Sequence, residues 1–260
     1  MTSLDTLLLA WAGQYNGLGV GHVARAAALS AIICPDVATP TDRTILSRWF
    51  TWVFALHDYT RHDLCLPPAQ ATALWRGLRA VAEGRAAPTS PLGAALNDLV
   101  SNLSRLRHVS PADSTLVALG VGHFLDGLAR LYEEQRRDTD SQRASAPPNL
   151  AIRAQTSGFW GAWTWLSATR SWGLSRCLIS HPARRLLPTL EHAAIVCCEA
   201  AVQPAAAADP ALSSVELTLR SLPAEWADFS RWSRHLLGNV GRWAAAEHWQ
   251  DEATRDADAG

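Results

Sequence analysis

The stretch Trp49–Asp63, WFTWVFALHDYTRHD, sets an aromatic run directly against His57, Asp58, Arg61, His62 and Asp63, with neither Gly nor Pro between. His57 and Arg61 are one helical turn apart, as are Asp58 and His62. Three chemistries compete for this cluster. A solvated helix end would carry i,i+4 ion pairs worth about 0.3–0.5 kcal/mol each. A metal-free site would use His57 for proton transfer near neutral pH and Arg61 as a fork for a carboxylate or phosphate. A one-metal site would draw on His57, Asp58 and Asp63, against repulsion from Arg61.

Other chemistry-bearing residues are sparse. Cys197 and Cys198 are adjacent, so only one can face a given cavity; as thiols they are small buried hydrophobes or, less simply, a nucleophile or an acid. Glu199 follows them in an apolar stretch, where it is either a solvent-facing acid or a carboxyl that keeps its proton. Asn97, Asp98 and Ser101 have the spacing of a metal motif but lie in a part of the chain where it is read as coincidence.

The elements that must position these groups read as helices. SPADSTLVALGVGHFLDGLARLYEEQRRD offers Ser110 as N-cap, Pro111 at the first helical position and Asp113 three residues after the cap, then leucines at helical spacing. Thr41 and Asp42 open the helix carrying the Trp49–Asp63 stretch. PPAQATALWRGLRAVAEG, PTSPLGAALNDLVSNLSRL, HPARRLLPTLEHAAIVCCEAAVQP (with Pro188 as a kink) and SLPAEWADFSRWSRHLLGNVGRWAAAEHW supply more. Alternating β-branched runs and Asn-Gly hairpins are absent. The expectation is one all-α domain, residues 1–252, of about ten helices, with a frayed polar tail at 253–260.

Composition excludes several classes. A net charge of −1 gives no electrostatic case for nucleic acid or an anionic membrane surface. All 23 basic residues are Arg, which reflects a GC-rich coding sequence. Five Cys without metal spacing argue against a disulfide framework. No apolar stretch is long enough to span a bilayer, and the N-terminal run has no basic region before it, so a cytoplasmic location is expected. Twelve Trp are many for 260 residues; they build either an aromatic core or a cavity walled by aromatic faces.

Three separated stretches carry a family resemblance. WFTWVFALHDYTRHD resembles the aromatic-then-aspartate helix of bacterial class I terpene synthases. NLAIRAQTSGFW is similar to their Leu-x-x-Arg-Arg-x-Thr-x-Gly stretch. HLLGNVGRWAAAEHW resembles their C-terminal helix, in which Gly-Asn precedes a Trp and an Arg-Tyr pair ends the motif. HPARRLLPTLEHAAIVCCEAAVQPAAAADP lies where the family keeps its second metal motif, and the order agrees over roughly residues 40–250. The resemblance implies an all-α bundle around an aromatic-lined cavity. It also implies three Mg²⁺ ions held by hard oxygen ligands, which release diphosphate from a prenyl substrate.

The chain departs from that pattern at almost every ligand. His57 stands for the first aspartate, Asp58 keeps the second, Arg61 replaces the third, and Asp63 falls on another helical face. The second motif aligns with Cys197, Ala201 and Ala205, none a hard ligand. His248-Trp249 replaces Arg-Tyr. Arg153 matches the first Arg of the diphosphate-sensing pair and Ala154 replaces the second. The resemblance therefore implies surviving walls, Phe54, Phe159, Trp160, Trp163 and Trp243, with Arg153 and Cys197 also toward the substrate. His57, Asp58 and Arg61 are the expected catalytic groups.

The expected function is an atypical cyclase or isomerase of natural-product biosynthesis. It would fold a hydrophobic terpenoid or polyene without cofactor, Mg²⁺ or diphosphate ionisation. A non-catalytic binder of a hydrophobic ligand or partner is the alternative. An ordinary Mg²⁺-dependent prenyl diphosphate cyclase follows if the register of both motifs differs. The expected partner is a hydrophobic small molecule, with no nucleic acid and no membrane span, and the resemblance admits a homodimer. The roles of Glu199, His62, Asp63 and His248 stay open.

Overall fold

The computed structural model describes residues 3–36, 38–62, 66–106, 108–140, 149–173, 181–202, 210–220, 222 and 224–258. Among these the regular structure is entirely helical. In chain order the helices are α1 (Leu4–Ala12), α2 (Val20–Ile33), α3 (Pro40–His62), α4 (Pro68–Ala82), α5 (Pro91–Ser104), α6 (Pro111–Asp140), α7 (Leu150–Gln155), α8 (Phe159–Arg170), α9 (His181–Val202), α10 (Pro210–Arg220) and α11 (Ala227–Asp258). A short 3-10 turn, Ala224–Trp226, precedes α11. No described helix is long and apolar enough to cross a membrane. The helix α9 runs through Pro188, and α11 continues to Asp258, past residue 252.

Helix starts are set by the residues that open them. Asp113 N–H donates to Ser110 Oγ at 3.2 Å and Ser110 N–H to Asp113 Oδ2 at 3.1 Å, a reciprocal box that starts α6 at Pro111. Thr39 and Asp42 form the same box at 3.2 and 2.8 Å, so α3 begins at Pro40 with Thr39, not Thr41, as its cap. Asp42 is 2% exposed because it does more: its Oδ2 also accepts from Arg170 Nη1 at 2.8 Å. Arg170 Nε in turn donates to Asp228 at 2.8 Å. The start of α3 is thus tied to the end of α8 and the start of α11.

The helix α3 is the centre of the bundle and packs against α1, α2, α5 and α8. Its first half is solid core. Trp49, Phe50 and Trp52 are fully buried, Trp49 and Trp52 stack with ring centroids 5.4 Å apart, and Phe124 of α6 meets both rings. Their indole N–H groups are satisfied over long chain distances, Trp52 on Leu92 O and Trp49 on Gly158 O, both at 2.9 Å. That pairing matters because an indole donor buried without an acceptor costs about 1–3 kcal/mol. Trp163, Trp165 and Trp232 are buried as well. For these five the aromatic-core reading of the sequence holds.

Gly158 breaks the chain between α7 and α8. Its φ of +78° is a left-handed value that favours glycine, and a Cβ there would sit 3.0 Å from Val53. Gly161, one turn into α8, lets Trp49 close in: a Cβ would lie 2.2 Å from the Trp49 ring. Of Asn97, Asp98 and Ser101, Asp98 serves packing. Asp98 accepts from Trp11 Nε1 at 2.8 Å and Asn102 Nδ2 at 2.9 Å, holding α1 on α5.

Candidate functional site

The second half of α3 opens onto a cavity of about 240 Å³. Its walls come from five places. The helix α3 gives Val53, Phe54, His57 and Asp58; the α7–α8 break gives Thr156, Ser157 and Phe159; α2 gives Arg25 and Leu29; α9 gives Ile195 and Cys198; α11 gives Trp243. This volume lies below the range of about 300–1,000 Å³ usual for small-molecule sites.

One side of the cavity is aromatic. Phe54 lies nearly parallel to Trp243, with centroids 5.9 Å apart and planes 13° apart. Phe159 meets Phe50 edge-on at 5.6 Å, which fixes the ring behind the wall. The Arg25 guanidinium sits 4.5 Å over the Phe54 ring, a cation–π contact that brings a permanent charge to the cavity's edge. Cys198 adds a thiol that burial pushes up to about 12, so it is a small apolar wall group rather than a nucleophile.

The ionisable residues stand at the cavity, but each is engaged by the protein. His57 Nε2 donates to Thr156 O at 2.6 Å, and the ring stands edge-on to Phe124 at 5.6 Å. A carbonyl can only accept, so this bond places a proton on Nε2. Thr156 caps the C-terminus of α7, where carbonyls lose their helical partners. Trp49 takes Gly158 O and His57 takes Thr156 O, so two side chains of α3, two turns apart, grip both sides of the same break. Asp58 does not orient a His on its own helix; its Oδ2 accepts from His22 Nε2 at 3.0 Å. His22 Nδ1 in turn accepts the Gly19 N–H at 2.9 Å, which fixes the tautomer and caps α2.

The other expected residues are placed variously. Arg61 lies on the last turn of α3, but its side chain, like those of His62 and His248, is outside the described residues, as are Asp63 and Ala205 altogether. Phe54, Phe159 and Trp243 line the cavity. Trp163 does not: it is 1% exposed and donates to Ser233 Oγ at 3.1 Å, inside the core. Trp160 faces a different recess, beside His123 and Arg79. Arg153 is not a lining residue; its guanidinium pairs with Glu199, a charge contact without hydrogen-bond alignment. That pairing also answers the question of Glu199, which is a half-buried ion-pair partner. The cavity takes Cys198 rather than Cys197, whose carbonyl lies 2.8 Å from where a Cβ on Gly241 would stand.

Four lining residues escaped the sequence reading, Arg25, Leu29, Val53 and Ile195, together with His22 behind Asp58. Positions 22, 25 and 29 recur at helical spacing on one face of α2, and that periodicity was the available signal.

The described donors at the cavity do not make a Mg²⁺ cluster. Mg²⁺ needs near-octahedral hard oxygen ligands. Among the described residues no group of three His, Cys, Asp or Glu is placed to hold a metal. Among the described lining residues the one carboxylate, Asp58, is bonded to His22. The facing turn of α9 presents Ile195 and Cys198.

Comparison with known proteins shows the fold. No family model matches the sequence, and no curated protein matches it. Among solved structures the chain is similar to germacradien-4-ol synthase from Streptomyces citricolor, at 16% identity over 95% of this chain and 94% of that one, with a TM-score of 0.63. It is similar to cucumene synthase at 15% identity over 96% and 94%, with a TM-score of 0.65. The SVS_A2 protein from ancestral sequence reconstruction gives 17% identity over 93% and 84%, with a TM-score of 0.67. The chain has the class I terpene synthase-like fold along nearly its whole length.

Proposed function

We propose that this chain uses the terpene synthase-like fold to bind a neutral hydrophobic terpenoid or polyene and to cyclise or isomerise it without Mg²⁺ and without releasing diphosphate. The observation that carries this reading is the pairing of an aromatic wall, Phe54 on Trp243 with Phe159 nearby, with ionisable residues of which the described ones form no ligand set. Aromatic faces stabilise a passing cation by about 0.5–2 kcal/mol each. A cavity that fixes one reactive conformer removes further barrier by pre-organisation. His57, at the cavity edge, is the candidate group for proton transfer. In an isomerisation such a group would take a proton from one carbon and return it at another, so no co-reactant is required. The proposal places the enzyme in the cytoplasm, as one domain over residues 1–252, within natural-product biosynthesis.

A second reading has its own support. His57 and Asp58 are both used in holding the fold, His57 on Thr156 O and Asp58 on His22, which suits a protein that binds a hydrophobic ligand without transforming it.

Incubation with neutral terpenoids and polyenes, followed by Trp fluorescence, melting temperature and mass-resolved product analysis, separates the readings. The enzyme reading expects quenching, stabilisation of about 2.7 kcal/mol at 100 times Kd, and a product isomeric with the substrate. Binding with unchanged ligand recovered supports the second reading. No binding by any neutral hydrophobic ligand refutes both.

A further inference from the structure

On the outer face of α4 and α6, away from the aromatic cavity, lies a groove of about 490 Å³ lined by Arg79, Glu83, Leu119, His123, Asp126 and Trp160, among others. Its volume falls within the usual range for small-molecule sites, about 300–1,000 Å³, and is larger than that of the cavity beside Phe54. At its base His123 Nε2 meets Glu191 Oε2 at 2.8 Å. Glu191 is 3% exposed, and its Oε1 accepts the Trp160 backbone N–H at 3.2 Å. The imidazole is held from behind by a buried carboxylate and lies 3.9 Å, centroid to centroid, from the Trp160 indole.

We infer that this groove is a second binding site, and that its ligand is a small organic ammonium ion with an apolar body. With Glu191 ionised, His123 Nε2–H donates to it and Nδ1 presents a lone pair. Nδ1 has no hydrogen-bond partner among the described residues, and it is not among their buried, unpartnered atoms, so solvent reaches it. The groove's one lining cation is already spent: Arg79 Nη2 donates to Gly122 O at 3.1 Å and to Asp126 Oδ1. What remains open is acceptor capacity, on His123 Nδ1 and on the half-exposed Asp126 carboxylate. Asp126 is paired with Arg79 and Glu83 with Arg85, so the negative charge that these two pairs do not balance is that of Glu191 behind the imidazole, and it favours a cation. Trp160 supplies an aromatic face for that cation, and Leu119, 58% exposed, an apolar surface for its body. A ligand that brings N–H donors, positive charge and a hydrocarbon portion meets each of these features.

Calorimetric titration of the full chain with hexylammonium, hexanol and hexanoate tests this. The expected result is saturable binding of hexylammonium only, weakened about fivefold by Asp126→Asn, the scale of one half-exposed charge contact. Leu119→Lys, on exposed surface, is expected to weaken it further by like-charge repulsion. Phe54→Ala, in the other cavity, should leave it unchanged. Equal binding of hexanol or hexanoate, insensitivity to both groove variants, loss of binding in Phe54→Ala, or no binding by wild type each overturns the inference.

Discussion

The two halves of α3 put polar chemistry to the same structural end by different means. In the first half Trp49 and Trp52 are core residues whose single polar atoms are each satisfied by a distant carbonyl. In the second half His57 and Asp58 border a cavity, yet each is also bonded, His57 to Thr156 O and Asp58 to His22. Trp49 and His57 hold opposite sides of the Gly158 break. The difference lies in what surrounds them. Trp49 is enclosed by Trp52, Phe124 and Trp165, whereas His57 has the cavity on one side. His57 is thus a brace that also faces the cavity.

The comparison breaks most visibly at Trp49. Trp49→Ala removes a buried indole and leaves Gly158 O short of a partner, and is expected to destabilise by about 3–5 kcal/mol, measured by urea unfolding. His57→Ala should cost less, about 1–3 kcal/mol, because one carbonyl loses its donor while little packing volume is lost. His57→Gln sharpens the point, since an amide N–H can reach Thr156 O. It is expected to recover much of the stability but not the turnover, which should stay about 10²–10⁴-fold down if His57 moves a proton. Full recovery of turnover in the Gln variant would leave His57 as a brace only.

The fold was legible because its signals are local. The Ser110–Asp113 box and the leucine spacing after it define α6, and Pro and Gly mark both ends of α4. The cavity was legible only in part, for geometric reasons. Phe159 and Trp163 are four residues apart and share a face of α8, but Trp163 lies one turn deeper and ends in the core on Ser233. Trp160 is about 100° around the helix from Phe159, so the two cannot wall one cavity. Arg25 and His22 come from α2, whose sequence VGHVARAAALS carries no motif, and only tertiary packing brings them to α3. The partners of Arg153 and Asp98 are likewise long-range, and no spacing rule announces them.

Two smaller effects probe the cavity wall. Phe54→Ala removes the ring stacked on Trp243 and lying under Arg25, and is expected to weaken hydrophobic ligand binding by up to about tenfold, the scale of about 0.5–1.5 kcal/mol for one aromatic contact. The smallest change concerns Cys198. Because burial pushes its thiol up to about 12, almost no thiolate exists at pH 8. Iodoacetamide should leave it unmodified in the folded protein and alkylate it after unfolding, read by peptide mass. Rapid alkylation in the native state would mean that this wall is wet and open.

The central claim is that the cavity works without a Mg²⁺ cluster, because Asp58 is the one carboxylate among its described lining residues and is already held by His22. The direct measurement is pyrophosphate release from geranyl, farnesyl and geranylgeranyl diphosphate as Mg²⁺ is titrated. The account predicts no release above the protein-free control at any Mg²⁺ concentration. Robust, saturable, Mg²⁺-dependent release that disappears in Asp58→Asn would contradict it.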